Sequence, residues 1–225
     1  MIDYKEAQKF FKENNYLVVT NYLNKDVATL LYEYSKTNVL AMDYKFNFNI
    51  EKYDEGWDGN WKDIQTPGRY SKYGDPIFDT LSKLSETNIS NFIGKNLICT
   101  YSYWRMYQHG DVLEKHTDRP SCKYSATLCI GYDNSNVDKN TYPDYSWPMF
   151  IETKEVRELP IPLKSGDLLI YRGDIIDHWR DKFLGINQTQ VFLHYNELND
   201  KDNNHGPIDG RPLYGIPSKY RKMDY

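Results

Sequence analysis

Between residues 97 and 196 the chain alternates short β-rich runs with turn signals, and this rhythm limits the fold more than any other feature. Runs at 97–107, 124–132, 147–152, 168–171 and 188–195 are dominated by β-branched, aromatic and other apolar residues. A further run at 159–163 holds two prolines, which marks an edge strand, because proline has no N–H to give to a ladder. Lys164-Ser-Gly-Asp167 reads as the turn into the run at 168–171. Several strands this closely spaced predict a sandwich or barrel.

The first 96 residues carry a different pattern. Tyr4, Ala7, Phe10 and Phe11 predict an amphipathic helix over 3–14, and 16–23 reads as a strand. Asn24 can cap a second helix, with Val27, Leu30, Leu31 and Tyr34 on one stripe. From 45 to 74, Gly56, Gly59, Pro67 and Gly68 break the periodicity, so loops with short strands are expected. Asp75-Pro76 then has the form of an N-cap and first helical residue, followed by Ile77, Phe78, Leu81 and Leu84. The fold expected is mainly β with flanking helices, a jelly roll carrying an N-terminal helical layer. The region from Asn199 onward reads as loop or tail.

A chain of 225 residues suits one domain, and 40% hydrophobic with 16% aromatic residues supports a largely aromatic core. The net charge of −4 gives no global attraction to nucleic acid. Cys99, Cys122 and Cys129 are three in number and show no CxxC spacing, which signals neither a disulfide framework nor a zinc site. No long apolar run follows the charged N-terminus, so neither a signal peptide nor a membrane span is expected, and the expected compartment is the cytoplasm.

One motif falls between the first two of those β-rich runs. In Tyr107-Gln-His-Gly110-Asp-Val-Leu-Glu-Lys-His116-Thr-Asp118, His116 and Asp118 are two residues apart where a strand runs out, so they share a face. Both can reach one metal ion, and His178, just beyond 168–171, is the candidate third ligand. Two histidines and a carboxylate on one side of a metal form the facial triad of non-heme Fe(II) oxygenases, with the remaining positions open to reactants.

The order of these elements resembles the Fe(II)/2-oxoglutarate dioxygenase superfamily, and within it the prolyl-hydroxylase-like branch. The residues carrying the resemblance are Tyr107-x-x-Gly110 ahead of His116-x-Asp118, Ala126-Thr127 in the next run, Lys164-Ser-Gly-Asp-Leu-Leu-Ile-Tyr171, and His178 before a final strand. It covers roughly 97–196, with 1–96 a lead-in and 197–225 a tail of the same expected domain. The resemblance implies a double-stranded β-helix with Fe(II) on His116, Asp118 and His178, and 2-oxoglutarate as cosubstrate, decarboxylated to succinate. It implies ascorbate as a candidate reductant and no catalytic residue beyond the metal ligands.

The sequence departs from the family at one point. An arginine or lysine is usual at the ninth or tenth residue past the second histidine, gripping the distal carboxylate of 2-oxoglutarate, and here those residues are Asn187 and Gln188. A neutral amide does not replace a charged bidentate link. Arg105 and Tyr107 share a strand face, and with Thr127 they are the expected cosubstrate-binding residues. Arg180 and Lys182 are the rival cations. His109, His194 and His205 have no spaced partners and read as surface or packed residues. Arg119 and Cys122 are candidates for shaping the mouth. Trp57, Trp61, Trp147 and Trp179 read as core or pocket wall, and the segments 45–74 and 133–146 as candidate lids.

The expectation is therefore an oxidoreductase hydroxylating a peptidyl (prolyl among others) or free amino acid, with a small-molecule or peptide partner and no membrane contact. Two alternatives stand beside it. A nucleic-acid oxidative demethylase is disfavoured by the acidic charge balance. A non-catalytic jelly roll that keeps the metal ligands is favoured by Asn187 and Gln188.

Overall fold

The computed structural model describes residues 3–200 and 206–221, so His205 lies outside it. Asp3 caps helix α1 (Tyr4–Asn14) by accepting the Lys5 N–H at 2.8 Å, and Asn15 ends it at φ 62°. Strand β1 (Tyr16–Val19) is shorter than the run 16–23, because the chain turns at Asn21, whose φ is 51° and whose N–H bonds the Asp167 carboxylate. Asn24 caps helix α2 (Lys25–Phe48) through the Val27 N–H. Helix α2 runs past the break expected at residue 45, since neither Gly nor Pro occurs until Gly56. Ala28, Leu31 and Ser35 are its buried residues, Val39 and Met42 of its second half pack against the core partly buried, and Leu30 is exposed.

The segment that follows holds a single turn of helix, α3 (Glu55–Asp58), and strand β2 (Ser71–Tyr73). Helix α4 (Pro76–Ile93) begins as its sequence predicts, with Asp75 as N-cap and Pro76 as first residue. The same buried Asp75 carboxylate accepts the Tyr34 hydroxyl and pairs with Lys72 at 3.1 Å.

The strands that follow are β3 (Leu97–Gln108), β4 (Leu113–His116), β5 (Tyr124–Asp133), β6 (Met149–Ile151), β7 (Leu159–Ile161), β8 (Leu168–Arg172), β9 (His178–Arg180) and β10 (Asn187–Glu197). They form two antiparallel sheets, a major one in the order β1-β8-β5-β10-β3-β2 and a minor one in the order β4-β9-β6-β7. The lead-in thus supplies both edge strands of the major sheet, and the proline-bearing β7 is an edge of the minor sheet.

Alternation sorts the major sheet into two faces. Trp104, Ala126, Leu128, Ile170, Val191 and Leu193 point outward and pack under Phe78, Ile89 and Phe92 of α4, Leu31 of α2 and Phe11 of α1. Each fully buried side chain of this size contributes roughly 1.5–3 kcal/mol, so the helical layer is part of the core. The opposite face turns toward the minor sheet: Cys129, Leu169 and Tyr171 meet Met149 and Ile151, while Tyr107 meets Trp147 and Phe183. This inner face is also where the polar residues Arg105, Thr127, Gln190 and His194 are buried. All three cysteines are free thiols.

Candidate metal centre

Strands β4 and β9 are four and three residues long, and their pairing sets His116 directly opposite His178. The two rings lie 4.2 Å apart between centroids. Asp118 follows as the chain leaves β4, and its N–H bonds the Gly173 carbonyl at 2.8 Å, which draws it back toward the end of β8. Its Oδ1 lies 3.9 Å from His116 Nε2 and 3.6 Å from His178 Nε2. One ligand atom from each of the three residues fits within a 4.8 Å span.

The surroundings fix the chemistry of these donors. His116 Nδ1 sits 2.7 Å from the Glu114 carbonyl, and His178 Nδ1 sits 2.9 Å from the Ile176 carbonyl. A carbonyl only accepts, so both Nδ1 atoms carry the proton and both Nε2 lone pairs face Asp118. Burial holds His178 below its ordinary pKa against the opposing pull of Asp118, which keeps the neutral ligand form. The Ser125 hydroxyl donates to Asp118 Oδ2 at 2.6 Å and leaves Oδ1 free toward the histidines. His194 Nδ1 lies 3.0 Å from the same hydroxyl. Burial pushes His194 down to about 4, so its imidazole is uncharged at neutral pH. A Cβ on Gly173 would stand 2.7 Å from the Ser125 hydroxyl oxygen and closer still to Asp118. Two imidazole nitrogens and one carboxylate oxygen on one side of a point are the donor set that suits a six-coordinate ferrous ion with open positions.

A cavity of about 500 Å³ opens beside the three residues. Its wall includes Tyr101, Tyr103, Arg105, Phe192, His194, Arg119 and Cys122, with Asp63, Ile64 and Gln65 contributed by the segment 45–74. The insertion 133–146 does not reach it. Trp179 points away, stacked on Phe150 at 5.6 Å, while Trp147 packs inside against Tyr107 and Phe183. Trp61 lies among Phe46, Tyr53 and Tyr70, and Trp57 meets Tyr220. His109 is exposed, with Nδ1 on the Leu184 carbonyl.

The expected cosubstrate residues meet different fates. Arg105 is buried and lines the cavity, but its Nη2 bonds Asp63 and Gln65 and its Nη1 bonds the Tyr107 hydroxyl at 3.1 Å. Burial pushes the Asp63 carboxyl up, and Arg105 and the Tyr103 hydroxyl more than offset it, so Asp63 stays below the usual carboxylate range. Thr127 Oγ1 accepts from Gln190, which in turn accepts from Gln188. None of Thr127, Tyr107 and Arg180 is on the cavity wall.

Arg180 lies two residues past His178 on the same side of β9 and is fully buried. Its guanidinium sits over the Trp147 ring at 4.7 Å and donates from Nη1 to the Trp147 carbonyl at 2.7 Å. Nε and Nη2 have no partner, and no carboxylate of the described residues pairs with it. Burial lowers its pKa, partly offset by the nearby Tyr107, Cys129 and Tyr171. Lys182 is exposed.

Asp63 and Ser125 belong to the site's setting and went unread in the sequence, while His194, read as a surface or packed residue, and Tyr171, read only as part of a strand, are both buried beside the cluster. One signal was present. Gln188, Gln190 and His194 alternate with Thr189, Val191 and Leu193 in a central strand, which marks a polar inner face.

No family model matches the chain, and no curated protein matches it in sequence. Solved structures do match in fold. A prolyl-4-hydroxylase from Pseudomonas putida aligns with a TM-score of 0.57 at 11% identity, over 87% of this chain and 99% of that one. The non-heme alpha ketoglutarate dependent carbocyclase SnoK from nogalamycin biosynthesis aligns with a TM-score of 0.62 at 12% identity, over 95% of each chain. EctD from S. alaskensis, solved with bound Fe, aligns with a TM-score of 0.59 at 12% identity, over 96% of this chain and 83% of that one. The chain has the double-stranded β-helix fold of the 2-oxoglutarate–Fe(II) oxygenases.

Proposed function

We propose that this chain is an Fe(II)- and 2-oxoglutarate-dependent oxygenase that hydroxylates a peptidyl or free amino acid. The observation that carries the reading is the pairing of the three-ligand cluster with an uncompensated buried guanidinium two residues beyond its last ligand. The fold shared with the enzymes above supports it. His116, Asp118 and His178 would hold the iron, which supplies oxygen activation coupled to decarboxylation of the keto acid.

The protein's own groups do the rest. Ser125 keeps one Asp118 oxygen engaged and the other aimed at the site. Burying a guanidinium without a counter-ion costs several kcal/mol, and an anionic ligand removes that cost. We therefore assign the distal carboxylate of 2-oxoglutarate to Arg180, in place of the missing cation at Asn187 or Gln188. Tyr107, which accepts from Arg105, keeps its own hydroxyl proton to donate to the same carboxylate. Arg105, already engaged by Asp63, belongs to the substrate side.

The test is succinate release from 2-oxoglutarate with added Fe(II), before any prime substrate is known. Release by the wild type and none by His116→Ala is the expected result. No release together with no binding of 2-oxoglutarate would favour the non-catalytic jelly roll, the reading that Asn187 and Gln188 support.

A further inference from the structure

The cavity wall carries two guanidinium groups and two carboxylates, and they are not equivalent. Asp118 belongs to the metal cluster, and Asp63 and Arg105 neutralise each other. Arg119 is left. Its side chain is 42% exposed, its Nη2 bonds Asp209 at 3.2 Å, and its Nη1 has no partner among the described residues.

Asp209 does not cancel that charge alone. The same Oδ2 also takes Arg221 and accepts the Tyr73 hydroxyl at 2.6 Å. One carboxylate between two guanidinium groups leaves one positive charge over. Of the two arginines, Arg119 is the one that faces the cavity.

The guanidinium is also held rigid. It lies over the Tyr101 ring at 4.7 Å, and its Nε bonds the Tyr101 hydroxyl at 3.3 Å. Tyr101 stacks on Tyr73 at 4.7 Å, and Tyr73 rests on Arg211 at 4.9 Å. Arg211 is anchored by the buried Asp79 at 2.6 Å. A side chain fixed in this way loses little conformational freedom on binding a ligand.

We infer that Arg119 is the recognition group for a carboxylate on the prime substrate, which makes that substrate a small free carboxylic acid of the amino-acid class rather than an internal residue of a polypeptide. This rests on the oxygenase reading above and narrows it. A single surplus charge, with Asp63 and Asp118 close by, suits a monoanion better than a phosphate dianion. A cavity of about 500 Å³ has room for a free amino acid.

The test uses the full chain with Fe(II) and 2-oxoglutarate, challenged with the twenty L-amino acids, their N-acetyl forms, and the carboxamides of both. Stimulated succinate release by at least one free acid, and not by its carboxamide, is expected. Arg119→Gln should raise the KM for that acid by about tenfold or more, the loss of one charge-assisted contact, with the KM for 2-oxoglutarate little changed. Arg119→Lys should recover part of the loss, and calorimetric binding of the acid to the metal-free protein should follow the same order. Stimulation by no free acid, equal response to acid and carboxamide, or a KM for 2-oxoglutarate that rises in step would overturn the assignment. Failure of the oxygenase reading looks different: no 2-oxoglutarate is consumed under any condition.

Discussion

His116 and His178 are direct partners across an antiparallel pair, with ring centroids 4.2 Å apart. Because side chains alternate along a strand, slipping β4 against β9 by one residue would turn one ring away. Register, more than loop geometry, assembles the histidine pair.

Asp118 is oriented by Ser125, so Ser125→Ala should weaken Fe(II) binding by roughly 10–100-fold without unfolding the protein. Asp118→Ala should abolish binding. Anaerobic titration with Fe(II) or Mn(II) measures both. Equal affinity in Ser125→Ala and wild type would remove the hydroxyl from any positioning role.

Arg180 presents the opposite balance between function and stability. Arg180→Met removes a buried, unpaired guanidinium and should raise unfolding stability by about 1–4 kcal/mol. The same variant should lose 2-oxoglutarate binding, while Arg105→Gln should retain it. Denaturant melts and calorimetry read the two effects separately. If 2-oxoglutarate affinity follows Arg105 instead, the anchor is there.

His194 gives a pH dependence of defined sign. Its folded pKa of about 4 lies below the ordinary value of 6.5, so the unfolded chain binds the extra proton first as pH falls. Its contribution is present above pH 6.5 and is lost between 6.5 and 4, amounting to on the order of 3 kcal/mol. Melts of the metal-free protein across that range, compared with His194→Asn, should show the flatter profile in the variant.

Gly173 lies where the end of β8 meets Asp118. Gly173→Ala would drive a methyl group into the Asp118 carboxylate and the Ser125 hydroxyl, and should cost about 1–3 kcal/mol along with metal affinity. A variant that binds Fe(II) like the wild type would show that the loop relaxes freely.

The long strands were legible because alternation over ten or more residues is a strong signal, and β3, β5 and β10 follow their runs closely. The caps Asn24 and Asp75 were legible because their chemistry is local. The strands β4 and β9 were not, since three or four residues show no period, and yet they carry both histidines. The spacing His116-x-Asp118 could be read in one dimension. That Arg105 is occupied by Asp63 and Arg180 is not depends on partners distant in sequence, which no local pattern encodes.

The buried Asp209 ties residues 206–221 to the rim of the cavity through Arg119. Anyone trimming that region for crystallisation, or exchanging it between related chains, would be editing the entrance to the cavity beside the three-residue cluster. Specificity engineered there would change without a single ligand or barrel residue being touched.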